Sequence, residues 1–519
     1  MGDTEITRGI KEAVAKKPDG IATCYGPRRR SWAEVLARVA RVAGGLRALG
    51  VGPGDRVAIW ALNSDRYVEL YYALPWIGAV AVPINTRLAP AEVRAILEDS
   101  ESATLVIDEM SAPLIGAALG GGLVPRLVDA GDGPLPDGAT SYEWLADSEP
   151  IEDVGRGGED LYGIFYTGGT TGRSKGVMLS HRNIIANRDN VATVVDQVDP
   201  VYLHAAPMFH LADLGSTFHI TSAAGTHAVI PRFDPADTLR AIAEYRVTGT
   251  MLVPTMINML LQFPDLGRYD LSSLQFMTYG ASPMPPAVMK RALEVLPGIQ
   301  FMQGYGMTEL SPVATFLEAK YHVDEGPLSG KLKSAGRAVG TAEVAVVDEH
   351  DRPVPTGTIG EIAVRGPMVM QGYWKQPELT AQSIRNGWMH TGDAGYLDED
   401  GFLFIVDRVK DMIISGGENI YSVEVEAALY GHPAVAMAAV FGIPSERWGE
   451  AVHAVVVRKP GHAVSEEELL DFCRSRIAGY KCPRSIGFQE EALPISGAGK
   501  ILKTELRAPY WEGHARRVN

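Results

Sequence analysis

The strongest constraint on this chain is the rhythm of its first third, where helical and strand patterns alternate without a break. Ser31-Trp-Ala-Glu34 is a capping box, in which the serine and glutamate side chains satisfy backbone N–H groups of the opening helical turn. Val35, Val39, Val42, Leu46 and Leu49 follow at helical spacing, and Gly50 ends the helix. Arg56–Ala61 then reads as a buried strand, with a helix from about Asp65, a strand at Ala79–Pro83, a helix near Ala91–Leu97 and a strand at Thr104–Ile107. Such βαβα alternation predicts a parallel sheet covered by helices. Gly120–Gly158, rich in Gly, Pro and Asp, is expected to contain linker and surface loops. The alternation then resumes to about Phe301, and from Ala342 short strands (Glu343–Val347, Gly360–Arg365) suggest a small β-rich module. Beyond Asp407, helices around Val423–Leu429 and Glu466–Ile477 and a strand at Val452–Val457 form a compact unit. The expected fold is α/β: a large N-terminal domain, 1–407, with βαβ-type parallel sheets plus the β-rich module, and a small α+β C-terminal domain, 408–519.

Composition excludes several functions. The net charge of −15 disfavours a nucleic-acid or anionic-membrane partner, so a polyanionic ligand must be held by local donors. Cys24, Cys473 and Cys482 have neither metal-type spacing nor the makings of a disulfide framework, which fits a reducing cytosol. The N-terminus lacks an apolar signal core, and the longest strongly apolar uncharged run, Leu70–Ile84, is too short to span a bilayer and contains Pro75. A cytoplasmic protein without a membrane span is expected.

Tyr166 to Gly176 read Y-T-G-G-T-T-G-R-S-K-G. Its glycines let backbone N–H groups approach an anion closely, its threonines add hydroxyl donors, and Lys175 adds charge. The apolar Leu161–Phe165 before it reads as a strand, so the loop should leave a sheet edge. A polyphosphate is the expected ligand; a Gly/Thr surface hairpin is the bland alternative. Walker A spacing fails here because Ser174, not Gly, precedes Lys175.

Other segments suit a bound nucleotide. Tyr279-Gly-Ala-Ser-Pro283 offers a tight turn with backbone groups and a hydroxyl. Gly304-Tyr-Gly-Met-Thr-Glu309 puts an aromatic ring, a hydroxyl and a carboxylate close together, as a stacked base, a phosphate and Mg²⁺ would need. Thr391-Gly-Asp393 can grip ribose hydroxyls. Asp407-Arg-Val-Lys-Asp411 precedes the flexible Ser415-Gly-Gly-Glu-Asn419, and Pro494-Ile-Ser-Gly-Ala-Gly-Lys500 carries a lysine on a Gly-rich arm. Each has a bland reading as a turn or cap; the ordered set is what discriminates.

In that order the motifs resemble those of the adenylate-forming superfamily of acyl-CoA synthetases, luciferases and peptide-synthetase adenylation domains, most of all bacterial fatty-acid or aryl-acid CoA ligases. The resemblance covers nearly the whole chain and implies an acid–thiol ligase that forms an acyl-adenylate and then an acyl-CoA, with a fatty acid as the expected substrate. An aryl acid of cinnamate, ferulate or benzoate type is the alternative, and a luciferase-like monooxygenase or a carrier-protein-loading enzyme are alternatives of another class. It implies ATP contacts from Thr167, Gly168, Gly169, Thr170, Thr171, Gly172 and Lys175. The Gly280-Ala281-Ser282 turn, Tyr305, Gly306, Met307, Thr308, Asp393 and Arg408 would complete that site. Thr170 and Glu309 would hold Mg²⁺, and Lys500, Thr308, Glu309 and His210 would be catalytic. Lys410 would be the hinge of a mobile C-terminal domain, with Gly416, Gly417, Trp448, Lys481 and Arg484 binding CoA. His210 stands where amino-acid-activating relatives carry Asp, so an α-amino acid loses its counter-charge. Gly168 replaces the family's usual Ser, and Ser174 a frequent Pro, changes that bear on ATP affinity. Met251, Met256, Met259, Met277, Met284 and Met302 fall in the half expected to build the acyl pocket. The expected partners are a small carboxylic acid, ATP and CoA; a homodimer is one assembly open to it.

Overall fold

The computed structural model describes residues 4–120, 125–167, 174–195, 197–323, 325–408, 411–415, 418–497 and 499–512. The alternating first third builds an eight-stranded sheet whose central strands, Val80–Pro83, Arg56–Trp60 and Thr104–Ile107, are parallel neighbours. The helices between them match their signals. Ser31 accepts from the Glu34 backbone in a complete capping box, and Ser64 caps Asp65–Ile77, which carries Pro75 inside it.

One expectation is extended and another corrected. Gly120–Gly158 does not act only as linker: Arg126–Asp129 and Ala139–Ser141 extend the sheet in parallel, and Tyr142–Ala146 is a helix. The strand before the Gly/Thr loop, Leu161–Thr167, is not at an edge of the sheet. It lies between Val80–Pro83 and the antiparallel Lys175–Ser180.

A second sheet of nine strands has a parallel centre through Thr226–Val229, Val201–His204, Gly249–Leu252, Phe276–Gly280 and Gln300–Tyr305. The early strand Ile21–Tyr25 joins this sheet rather than the first, pairing with Thr226–Val229. One core contains residues of both sheets and of the helices Trp32–Ala48, Asp65–Ile77 and Leu211–Ser222, where Phe218 meets Tyr72 and Tyr162 edge-on. The β-rich module follows as antiparallel Glu343–Val347, Gly360–Arg365, Trp388–Leu397 and Leu403–Arg408. The C-terminal part has its own sheet, centred on Val435–Ser445 and Gly449–Arg458, and its own core around Ile413, Val425, Leu429, Val440 and Val456. Cys24, Cys473 and Cys482 are free and buried. Among the described residues no helix is long and apolar enough to cross a membrane.

Candidate active site

The ends of parallel strands deliver the first wall of the site. The Gln300–Tyr305 strand ends in Tyr305, whose hydroxyl donates to Asp393 Oδ2 at 2.9 Å. Asp393 sits in Trp388–Leu397 directly opposite Arg408 in the antiparallel register. Gly306 follows where the backbone folds back on itself: a β-carbon there would lie 2.0 Å from the Pro312 carbonyl oxygen. Only glycine fits that approach. Asn187 Nδ2 donates to the carbonyls of Leu310 and Val313, fixing the turn that presents Thr308 and Glu309. Next to this turn Gly280 ends its strand, and Ala281 adopts a left-handed φ of 65° before Ser282.

Glu309 is buried, and its Oε1 accepts a 2.8 Å hydrogen bond from Tyr373. Burial first, then the Glu309 charge, pushes the tyrosine pKa up, so its hydroxyl stays protonated as the donor. Lys175 opens its strand opposite Thr167, and its ammonium lies 5.3 Å from the Tyr373 ring centroid. Tyr373 therefore links the cation to the carboxylate. Sequence reasoning missed it: the Gln-Gly-Tyr-Trp stretch carries no motif, and only folding brings it to Glu309.

His210 caps the Leu211–Ser222 helix, its Nδ1 accepting from the Ala212 N–H at 3.3 Å. Desolvation, and then the positive charge of Lys500, lower its pKa to about 4, so it is neutral at physiological pH. Lys500, from the C-terminal part, is thus near enough to bear on His210, and both line one cleft. Lys500 lies in a tight bend closed by the Ile495–Ile501 bridge, with its N–H donating to Ser496 Oγ. Behind it the Lys503–Trp511 helix begins with a lysine that pairs with Glu426 at 2.7 Å and donates to Ser422 Oγ. Ser422 in turn donates twice to Asp407.

A single cleft of about 2190 Å³ joins these parts, lined by Thr167, His210, Gly280–Ser282, Tyr305–Glu309, Asp393 and Lys500. Of the expected methionines, Met251, Met259 and Met284 line it, whereas Met256, Met277 and Met302 do not and are buried. Gly168 to Gly172, Lys410, Gly416 and Gly417 lie outside the described residues, as does the Arg408 side chain. Trp448, Lys481 and Arg484 are not part of the cleft lining. Arg447 and Arg484 lie 4.6 and 5.6 Å from the Trp448 ring centroid, and Lys481 forms an ion pair with Glu424.

An α/β body that gathers these groups at strand ends, and receives a lysine from a C-terminal unit, is the architecture of an adenylate-forming enzyme. The chain belongs to the AMP-binding enzyme family, which matches residues 10–374, with the AMP-binding enzyme C-terminal domain matching 424–500. It is 42% identical to a feruloyl-CoA synthase of an Amycolatopsis species over 95% of this chain and 96% of that protein. It is 38% identical to the long-chain-fatty-acid–CoA ligase FadD13 of Mycobacterium tuberculosis, over 93% of each. Among solved structures, an anthranilate CoA ligase in complex with anthranoyl-AMP superposes with a TM-score of 0.89 at 26% identity, covering 98% of this chain and 97% of that one. The protein is accordingly an enzyme of the AMP-forming acyl-CoA synthetase class, whose members use ATP and CoA.

Proposed function

We propose that this enzyme joins an apolar carboxylic acid to CoA through an acyl-adenylate, and that the cleft between Tyr305–Glu309 and Lys500 is where both bonds form. The observation that carries this reading is that Lys500 and His210 line the same cleft as Tyr305, Glu309 and Asp393. An acid oxygen attacks the α-phosphorus of ATP, forming the acyl–phosphate bond and releasing pyrophosphate. The CoA sulfur then attacks the acyl carbonyl, AMP leaves, and the thiol proton goes to solvent. The first step brings anions together, which a lysine ammonium at the α-phosphate offsets. Tyr305 would stack on adenine, Asp393 and Arg408 would hold the ribose, and Thr308 would contact the α-phosphate. Lys175, with Thr167, Gly168, Gly169, Thr170, Thr171 and Gly172, would cradle the departing pyrophosphate.

The residues fit Mg²⁺, which binds proteins through one or two carboxylates plus substrate phosphates: Glu309 is a buried carboxylate on the cleft wall, oriented by Tyr373. Glu309 and Thr170 would hold the ion, whose contribution is to neutralise phosphate charge. The division at 407/408 falls in the interval between the two family matches, and Lys410 is assigned as the hinge. Gly416, Gly417, Trp448, Lys481 and Arg484 are assigned to CoA in a second arrangement of the C-terminal domain. A cytoplasmic homodimer is the proposed working form.

The apolar groups on the cleft wall, Met251, Phe276, Val313 and Phe316 among them, support a fatty acid. One observation favours an aryl acid with a polar substituent. Tyr202 and Ser216, hydrogen-bonded to each other at 2.9 Å, line the same cleft. So does Gln197, whose buried Oε1 has no hydrogen-bond partner among the described residues. A phenolic hydroxyl would satisfy that acceptor. The test is AMP and thioester formation across aliphatic acids of graded length and cinnamate-type acids with and without a ring hydroxyl. Failure to form any thioester while light or CO₂ is released would replace ligation by a luciferase-like reaction.

A further inference from the structure

The segment that carries Lys500 meets the larger body at one compact place. Thr255 Oγ1 donates to the Gly499 carbonyl at 3.0 Å. The Arg87 guanidinium donates to the carbonyls of Ser496 at 2.9 Å and Ile495 at 3.5 Å. Between these anchors Gly497 lies flat on Asn85: a β-carbon at 497 would fall 2.3 Å from Asn85 Oδ1, 2.4 Å from Nδ2 and 2.5 Å from Cγ. The Asn85 amide is itself oriented, because its Oδ1 accepts from the Arg87 backbone N–H at 3.0 Å. Asn85 and Arg87 follow the strand Val80–Pro83 of the eight-stranded sheet, and Thr255 follows Gly249–Leu252 of the nine-stranded one. The contact therefore straddles the strand ends of both sheets.

We propose that Asn85, Arg87 and Thr255 form a seat for the Lys500 segment and are positioning residues for adenylate formation. This inference rests on the reading that Lys500 serves that step. A lysine ammonium ends a flexible four-carbon stem, so its placement depends on how firmly its backbone is held. Here the backbone is held through carbonyls on both sides of Gly497, and the close approach to Asn85 sets its depth. Gly497 is not in the left-handed region, so an added methyl group strains only the docked arrangement, not the bend itself. The seat acts only while the segment is docked; it has no part in thiol attack on an adenylate already made.

The test measures two reactions in the full-length enzyme: acid-dependent ATP–pyrophosphate exchange, and thioester formation from purified acyl-adenylate and CoA. Gly497→Ala is expected to slow exchange about 100-fold, the scale of a ~1 Å misplacement of a reacting group. Arg87→Ala should slow it about 10-fold, as loss of a charge-assisted hydrogen bond does. Both should leave the second reaction within about two-fold. Arg87→Lys should recover part of the loss, since an ammonium can still donate to the Ser496 carbonyl. Adding Asn85→Ala to Gly497→Ala removes the clash and should restore part of the exchange, which ties the loss to this contact, while the intact second reaction of the single variant separates it from a general folding defect. Equal loss of both reactions in Gly497→Ala, or normal exchange in both single variants, overturns the seat. Lys500→Ala run alongside separates the two levels: if it keeps normal exchange, the role of Lys500 falls and the seat with it. If it loses exchange while the seat variants do not, only the seat is wrong.

Discussion

The cleft has two walls built on opposite principles. The wall of Tyr305–Glu309 is backbone packed on backbone, with Gly306 against the Pro312 carbonyl and Asn187 closing the turn. The Lys500 wall is a bend held on the larger body by a few donors to carbonyls, from Thr255 and Arg87. A packed wall can serve a ligand present in both half-reactions, whereas a lightly held one can leave between them. The contrast predicts which half-reaction each substitution damages. Gly306→Ala should have the largest effect, because its methyl group meets backbone that cannot yield: about 3 kcal/mol of lost stability and loss of both half-reactions. A thermal melt and the two assays check it, and a variant that loses only adenylation would mean that this wall is no more permanent than the other.

Next in size is Lys500→Ala, expected to slow ATP–pyrophosphate exchange by 10²–10³-fold, the scale of losing one electrostatic contact to a developing charge. Thioester formation from preformed adenylate should persist; its loss would put Lys500 on the permanent wall. Tyr373→Phe comes third. It strips the hydroxyl from buried Glu309, leaving a carboxylate oxygen short of a donor at a cost of about 1–3 kcal/mol. Because Glu309 stands on the packed wall, we expect a raised Mg²⁺ requirement with Tm lowered by a few degrees. An unchanged Mg²⁺ dependence would separate Glu309 from the metal.

The same contrast explains what the sequence could reveal. Thr104–Ile107 appears residue for residue as read, since a four-residue run with three β-branched side chains is too short for a helix and suits a buried strand. The capping box at Ser31 is equally local. That Ile21–Tyr25 crosses to the other sheet is not legible, because its partner Thr226–Val229 is remote and strand patterns carry no address. The site motifs were readable where their chemistry lies in consecutive residues, as from Tyr305 to Glu309. The residues that hold them, Tyr373, Asn187, Arg87 and Thr255, were not, because their role exists only across elements far apart in the chain. The six methionines divide for a related reason. Composition cannot sort them: only packing puts Met251, Met259 and Met284 on the cleft and leaves Met256, Met277 and Met302 off it.

The smallest effect reads the docked wall directly through a histidine. His210, His181 and His322 are each pushed down to about 4, all three chiefly by burial, but Lys500 contributes only at His210. Each is neutral in the folded protein above that pH, whereas the unfolded chain protonates histidine near 6.5. Between pH 6.5 and about 4 the unfolded state therefore binds more protons, and stability falls with falling pH; above 6.5 these groups contribute no slope. Lys500→Met removes a nearby positive charge, which should raise the His210 pKa without returning it to the ordinary histidine value, since burial is the larger cause. His181 and His322 should titrate as before. An NMR titration of the histidine ring protons resolves the three. If His210 does not move, the Lys500 segment spends its time away from His210 in solution, and the lightly held wall is one that must close for each turnover.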